Sequence, residues 1–156
     1  MKITLVLVGK TSSADIKNIC ADYKKRIGHY VKFDEVIIET NSLKGADNQK
    51  TKQKEGELIF KKLNPADFLV LLDDKGKEYT SIQFAGYLEN LFNQSLKNIV
   101  FVVGGAYGFS DEIYKRANAK LSLSKMTFSH QIIRAIFAEQ LYRAFSIINK
   151  EPYHHE

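Results

Sequence analysis

The sequence predicts an α/β fold: a mostly parallel sheet with helices on both faces. Three observations carry this. Short apolar runs at residues 3–8, 68–72 and 99–103 are continuous, as in strands buried on both faces. Segments of helical period separate these runs, and such alternation is the mark of a parallel sheet. The last segment, roughly 129–149, is the most periodic, with Ile132, Ile133, Ile136, Phe137, Leu141, Ala144, Phe145 and Ile148 as its apolar stripe.

Each element has its own reason. The run 3–8 is closed by Gly9. Ser12 or Ser13 caps a helix over roughly 14–28, with Ile16, Ile19, Cys20, Tyr23 and Ile27 at helical spacing and Gly28 as its stop. A second strand spans 33–40 through Val36, Ile37 and Ile38, and the polar residues 41–49 form a loop. A helix over roughly 50–63 ends at Asn64-Pro65, because proline disfavours helix in the residue before it. The third strand, 68–72, runs into the turn signal Asp73-Asp74-Lys75-Gly76. Ser81 caps a helix over roughly 82–95. The fourth strand, 99–103, ends in Gly104-Gly105-Ala106-Tyr107-Gly108, and a short helix over about 110–118 leads to a fifth strand over 119–124.

Ligands of open parallel sheets bind beyond the carboxyl ends of the strands. That rule selects the loops after Leu72, Val103 and Ser124. Gly104-Gly105-x-x-Gly108 is neither a P-loop nor the dinucleotide spacing. It is either a tight turn needing positive φ or a place where a ligand lies against bare backbone. The segment 123–131 holds Ser124, Lys125, Thr127, Ser129 and His130, more polar groups than capping needs, with Thr127 or Ser129 as the cap. Arg134 interrupts an apolar stretch, so it is either paired in the interior or faces a partner. The tail, Pro152-Tyr153-His154-His155, either frays or reaches into a cleft.

The chain has 156 residues, a net charge of +5 and one cysteine. The expectation is a soluble, reduced, cytoplasmic single domain over 1–156, with no disulfide, membrane span, signal peptide or metal site. Residues 1–62 hold 13 basic and 8 acidic side chains, against 3 and 5 in 63–99 and 7 and 5 in 100–156. The surplus therefore sits early, notably at Lys50, Lys52, Lys54, Lys61 and Lys62. It is either a solvated helix face or a phosphate-contacting strip. Motifs for serine hydrolysis, zinc proteases and dithiol chemistry are missing, and a nucleotide hydrolase would need a phosphate cradle or metal cluster that the sequence does not offer.

Several blocks together resemble one family. They are Leu72-Asp73 with Gly76-Lys77, Val103-Gly104-Gly105-x-x-Gly108, the run 121–128 with His130, Glu139-Gln140-Leu141-Tyr142-Arg143-Ala144, and Pro152-Tyr153-His154. Met1-Lys2-Ile3, Val8-Gly9-Lys10 and Lys54-Glu55-Gly56 agree as well. The set is similar to the bacterial ribosomal RNA large-subunit methyltransferase H family over essentially the whole chain. The resemblance implies a SPOUT-type trefoil knot in about residues 100–156. It implies methylation of N3 of a pseudouridine in 23S rRNA, on the assembled ribosome, by a homodimer using S-adenosyl-L-methionine. It places the methyl donor at Leu72, Gly104 and Leu123, Ser124, Lys125, Met126, Thr127 and Phe128, and we add Gly105 and Gly108 of the same turn. One departure is Ser129, where the family often has proline.

The expected catalytic group is His154, Tyr153, Arg143 and His130. An imide N–H must lose its proton, and histidine is the side chain suited to accept it near neutrality, so His130 and His154 are the candidate bases. Tyr153 would position the nucleobase and Arg143 a phosphate. The last helix, through Ile133, Arg134 and Phe137, is expected at a two-fold interface, with the tail of one chain in the other's pocket. The alternative is a catalytically inactive ribosome-binding or assembly factor on the same fold, which would not bind the donor.

Overall fold

The computed structural model describes residues 1–40 and 47–155. The elements are β1 (Lys2–Val8), α1 (Ala14–Ile27), β2 (Lys32–Ile38), α2 (Asn48–Phe60), β3 (Phe68–Glu78), α3 (Ser81–Phe92), β4 (Asn98–Val103), α4 (Asp111–Arg116), β5 (Ala119–Ser122) and α5 (Ile132–Ile148). The strands lie in the order β2-β1-β4-β3-β5, and every neighbouring pair is parallel. Of the loop expected over 41–49, residues 41–46 lie outside the described ones.

Side chains of a strand alternate between its two faces, and that alternation builds two cores. Ile3, Leu5 and Leu7 of β1, with Val70, Ile99 and Phe101, pack against α1, α3 and α5 through Ile27, Leu88, Phe137 and Leu141. Val6, Val8, Leu69, Leu71, Val100 and Val102 pack on the other face against Ile59 of α2 and Ile113 of α4. The continuous apolar runs are thus buried on both sides.

Local chemistry sets the helix ends. Ser13 accepts the Ile16 N–H at 3.3 Å and starts α1. Asp47 accepts the Lys50 N–H at 2.8 Å, so α2 starts two residues earlier than its apolar pattern implied and ends at Phe60. Thr80, not Ser81, caps α3, in a reciprocal capping box with Gln83. Ser81 instead donates to Gln140 of α5 at 3.3 Å. Before α5, Ser129 takes the capping role: its hydroxyl accepts the Ile132 N–H at 3.2 Å and its carbonyl the Ile133 N–H at 3.1 Å.

The largest departure from the sequence pattern is in β3. The turn at Asp73 forms, with its carboxylate accepting the Lys75 N–H at 2.8 Å. The strand then resumes, so that Leu121 of β5 pairs with both Leu72 and Lys77. Gly76 makes the crossing possible. A Cβ there would stand 2.6 Å from main-chain atoms of Leu121, which cannot move aside as a side chain would.

Arg134 and Phe137 are both 0% exposed within one chain, which corrects the expectation that they face a second copy. The guanidinium is paired in the interior. Its Nε donates to the His130 carbonyl at 2.9 Å, Nη1 to the Gly9 carbonyl at 3.0 Å and Thr11 Oγ1 at 2.8 Å, and Nη2 to the Val8 carbonyl at 2.8 Å. It joins the carboxyl end of β1 to the entrance of α5. Removing it strands the buried Val8 carbonyl and the buried Thr11 hydroxyl and takes a donor from the Gly9 and His130 carbonyls, a costly loss. Arg134→Met should therefore lower stability by about 3 kcal/mol or more. Urea unfolding should show a lower midpoint at unchanged slope.

Candidate active site

The loops after Leu72, Val103 and Ser122 meet around a cavity of about 230 Å³ at the carboxyl ends of β3, β4 and β5. Ten of the expected site residues line it: Leu72, Gly104, Gly105, Gly108, Leu123, Ser124, Met126, Thr127, Phe128 and His130. Lys125 does not; its side chain is exposed outside the cavity, so the expectation that it contacts the donor is not matched by its position. Sequence reasoning missed Phe109 and Ile133, which supply apolar wall; Asp73 and Asp74, which the sequence offers equally as a turn or a Mg²⁺ site, also line the cavity.

The glycine turn has a specific geometry. Gly108 has φ +79°, and its N–H donates to the Gly105 carbonyl at 3.3 Å. A Cβ at Gly104 would stand 2.9 Å from the Phe109 ring. A Cβ at Gly105 would stand 2.6 Å from the carboxylate of Glu55. The turn thus needs positive φ at Gly108, while Phe109 and Glu55 leave no room for a side chain at Gly104 and Gly105, and all three glycines line the cavity. In the loop after β5, Ser122 donates to the Ser124 carbonyl and Ser124 Oγ accepts the Met126 N–H, both at 2.9 Å. Tyr114 donates to Asp73, which fixes that carboxylate, and burial pushes the Tyr114 phenol up to about 12.

The other expected catalytic residues gather elsewhere. Arg143 binds Glu139 through Nε at 3.0 Å and Nη2 at 2.5 Å, so its pKa rises. Its guanidinium covers the Tyr153 ring at 4.8 Å, and Nη1 lies 3.3 Å from His154 Nδ1. Tyr153 packs edge-on against Tyr142, donates to Glu139 at 3.2 Å and shares a 3.1 Å hydrogen bond with Tyr23. Burial first, then these partners, push its phenol well above the usual tyrosine range. Tyr30 donates to Glu151 and anchors the tail from the turn after α1. The tail is thus docked rather than frayed. A guanidinium can only donate, so His154 Nδ1 accepts, and the neutral ring carries its proton on Nε2. From Ile133, on the cavity, to Arg143 the chain advances about 15 Å along α5 at 1.5 Å per residue. The catalytic set is therefore split: His130 borders the cavity, while Arg143, Tyr153 and His154 form a second cluster with Glu139 and Tyr23.

The early lysines divide, with Lys61 at helical spacing from Lys50 and Lys54 but Lys52 not. Lys50 and Lys54 share a helix face, whereas Lys52 points away and is half-buried. Lys50 also pairs with Asp47 at 3.8 Å. Among the described residues no helix is long and apolar enough to cross a membrane, and no group of three or more His, Cys, Asp or Glu is placed to hold a metal.

Glu55, 7% exposed, lies behind the glycine turn with no ion-pair partner among the described residues. Burial raises its pKa above the ordinary 4.5. A raised carboxylate pKa means that ionisation penalises the folded state. The penalty is absent below the ordinary value and complete above the raised one. Glu55→Gln should therefore raise the melting temperature at pH 8, and the difference should vanish towards pH 4 in parallel thermal scans.

A family model described as "Predicted SPOUT methyltransferase" matches residues 1–154. The chain is 55% identical to "Ribosomal RNA large subunit methyltransferase H" of Parabacteroides distasonis, with 100% of both chains covered. It is 50% identical to the protein of that name from Phocaeicola vulgatus, again over 100% of each, and 49% identical to that of Christiangramia forsetii over 99% of each. With its parallel sheet and the loop-built cavity at the strand ends, the chain belongs to the SPOUT methyltransferase family.

Proposed function

We propose that this protein methylates N3 of a pseudouridine in 23S rRNA on the assembled ribosome, using S-adenosyl-L-methionine. The observation that carries this reading is the cavity itself. Fourteen residues of the motif blocks that resemble the methyltransferase H family converge on it from loops far apart in sequence. The relatives' names point the same way. On this reading residues 1–156 are a single domain, with a trefoil knot in about 100–156.

The cavity fits the donor's chemistry. Glycine backbone at 104–108 and the main chain of 122–126 offer N–H and C=O groups to an adenosine, between the apolar walls of Leu72, Leu123 and Ile133. Nothing there resembles a phosphate cradle, which suits a ligand without phosphate. When bound, S-adenosylmethionine supplies a methyl group on a positive sulfur that leaves as a neutral thioether.

The chain's own residues orient the target nucleobase and manage its proton. His130, at the cavity edge, accepts the N3 proton, directly or through one water. The negative charge left on the imide spreads to its carbonyl oxygens. His154 offers Nε2–H to one of them, because Arg143 already occupies Nδ1. This assigns His154 as donor and leaves His130 as base. Tyr153 and Arg143 hold the nucleotide. About 15 Å of α5 lies between Ile133 on the cavity and Arg143 in one chain, and the second copy of a homodimer would bring its tail to the cavity. Met126, 77% exposed, with Phe128 and Ile132, offers the apolar surface for that contact, in place of Arg134 and Phe137.

Mass mapping of 23S rRNA from cells with and without this protein tests the function. One methyl group should disappear from a single pseudouridine, and calorimetry should show donor binding. An inactive assembly factor would change neither. For His154, single-turnover methylation at saturating donor should fall about 10²-fold in His154→Ala, as for loss of an oxyanion donor. His154→Gln should recover part of that loss, since its amide still donates; equal losses would point to a base instead.

A further inference from the structure

A second cleft, of about 370 Å³, lies between α1, the edge strand β2 and the loop after β1. Lys17, Cys20, Ala21 and Lys24 line it from one face of α1, at helical spacing i, i+3, i+4 and i+7. Glu35 and Ile37 line it from one face of β2, and Lys10 and Thr11 from the loop. Three ammonium groups thus surround a single carboxylate. Lys10 is shared with Glu39 at 2.9 Å, whereas Lys17 and Lys24 are exposed and make no ion pair among the described residues.

The cleft shares a wall with the donor cavity. Gln131 donates to the Lys10 carbonyl at 3.1 Å and accepts the Ser12 N–H at 2.8 Å. Arg134 ties Thr11 at 2.8 Å to the carbonyl of His130 at 2.9 Å. His130 lines the cavity on the other side of this wall. A chain lying in the cleft therefore passes directly beside the cavity mouth.

We propose that this cleft is a phosphodiester-binding track, which holds the RNA strand flanking the nucleotide that enters the donor cavity. The proposal rests on the rRNA reading above. Lys17 and Lys24 are about 10 Å apart along the helix, at 1.5 Å per residue, so their ammonium groups can meet separate phosphates of one strand. The spacing suits a polymer of phosphates. Lysine suits it too: a flexible point charge neutralises backbone without reading sequence.

The test uses the full-length protein and intact ribosomes. Lys17→Glu/Lys24→Glu should bind ribosomes at least tenfold more weakly at moderate salt. The slope of log K against log salt should become shallower by about one to two, since each phosphate contact contributes roughly 0.7–0.9. Donor affinity by calorimetry and the melting temperature should match the parent, because both side chains stand in solvent. Lys97→Glu, at an exposed site outside the cleft, controls for overall charge. An unchanged slope, or an equal loss in Lys97→Glu, overturns the track while leaving the methyltransferase reading intact. If the parent protein neither binds ribosomes nor methylates 23S rRNA, the functional reading falls and the track with it. Cys20, the one cysteine of the chain, lies in the cleft and accepts a photo-crosslinker. Adducts on rRNA near the methylated nucleotide support the track; adducts confined to ribosomal proteins overturn it in favour of an acidic peptide.

Discussion

A buried positive charge with no carboxylate against it organises this molecule. Arg134 spends four hydrogen bonds on three carbonyls and one hydroxyl, and so welds the end of the first strand to the start of the last helix. Burial lowers its pKa, the direction expected for a cation desolvated among neutral acceptors. The planar fork of arginine addresses acceptors on two segments at once, which an ammonium on a single stem does not. His130 and Ile133, on the donor cavity, and Thr11, on the neighbouring cleft, are placed by this one contact.

The helix that Arg134 anchors also explains why the functional residues divide. One end of α5 meets the strand-end loops, where bare backbone and small side chains suit a neutral adenosine. Further along, Arg143 and Glu139, four residues apart, hold a basic and aromatic cluster around the docked tail.

Much of the fold was legible in the sequence because burial leaves a periodic trace. The strands at 3–8, 68–72 and 99–103 and the Ser13 cap appear where the pattern put them. The donor loops were legible for a different reason, since parallel sheets put ligands at strand ends. Other features leave no periodic trace. The second half of β3 is polar and follows a turn signal, and only its register with β5 makes it a strand. Arg134 looked equally like a core or an interface residue, because the sequence does not say which carbonyls will surround it. The role of Tyr23 depends on a tail 130 residues away. The early lysines counted as a cluster by number, but helical rotation separates Lys52 from Lys50 and Lys54.

The crossing at Gly76 bears on the order in which the chain acquires its properties. The cavity draws its walls from residues between Leu72 and Ile133, and β3 completes its pairing only when Leu121 and Ser122 arrive. The helix that seals the core beneath them comes later still. A chain growing from its amino end therefore holds β1 through β4 long before it holds a complete cavity. No nascent fragment that stops short of Ile133 contains the whole lining, so the cavity is complete only once α5 has begun.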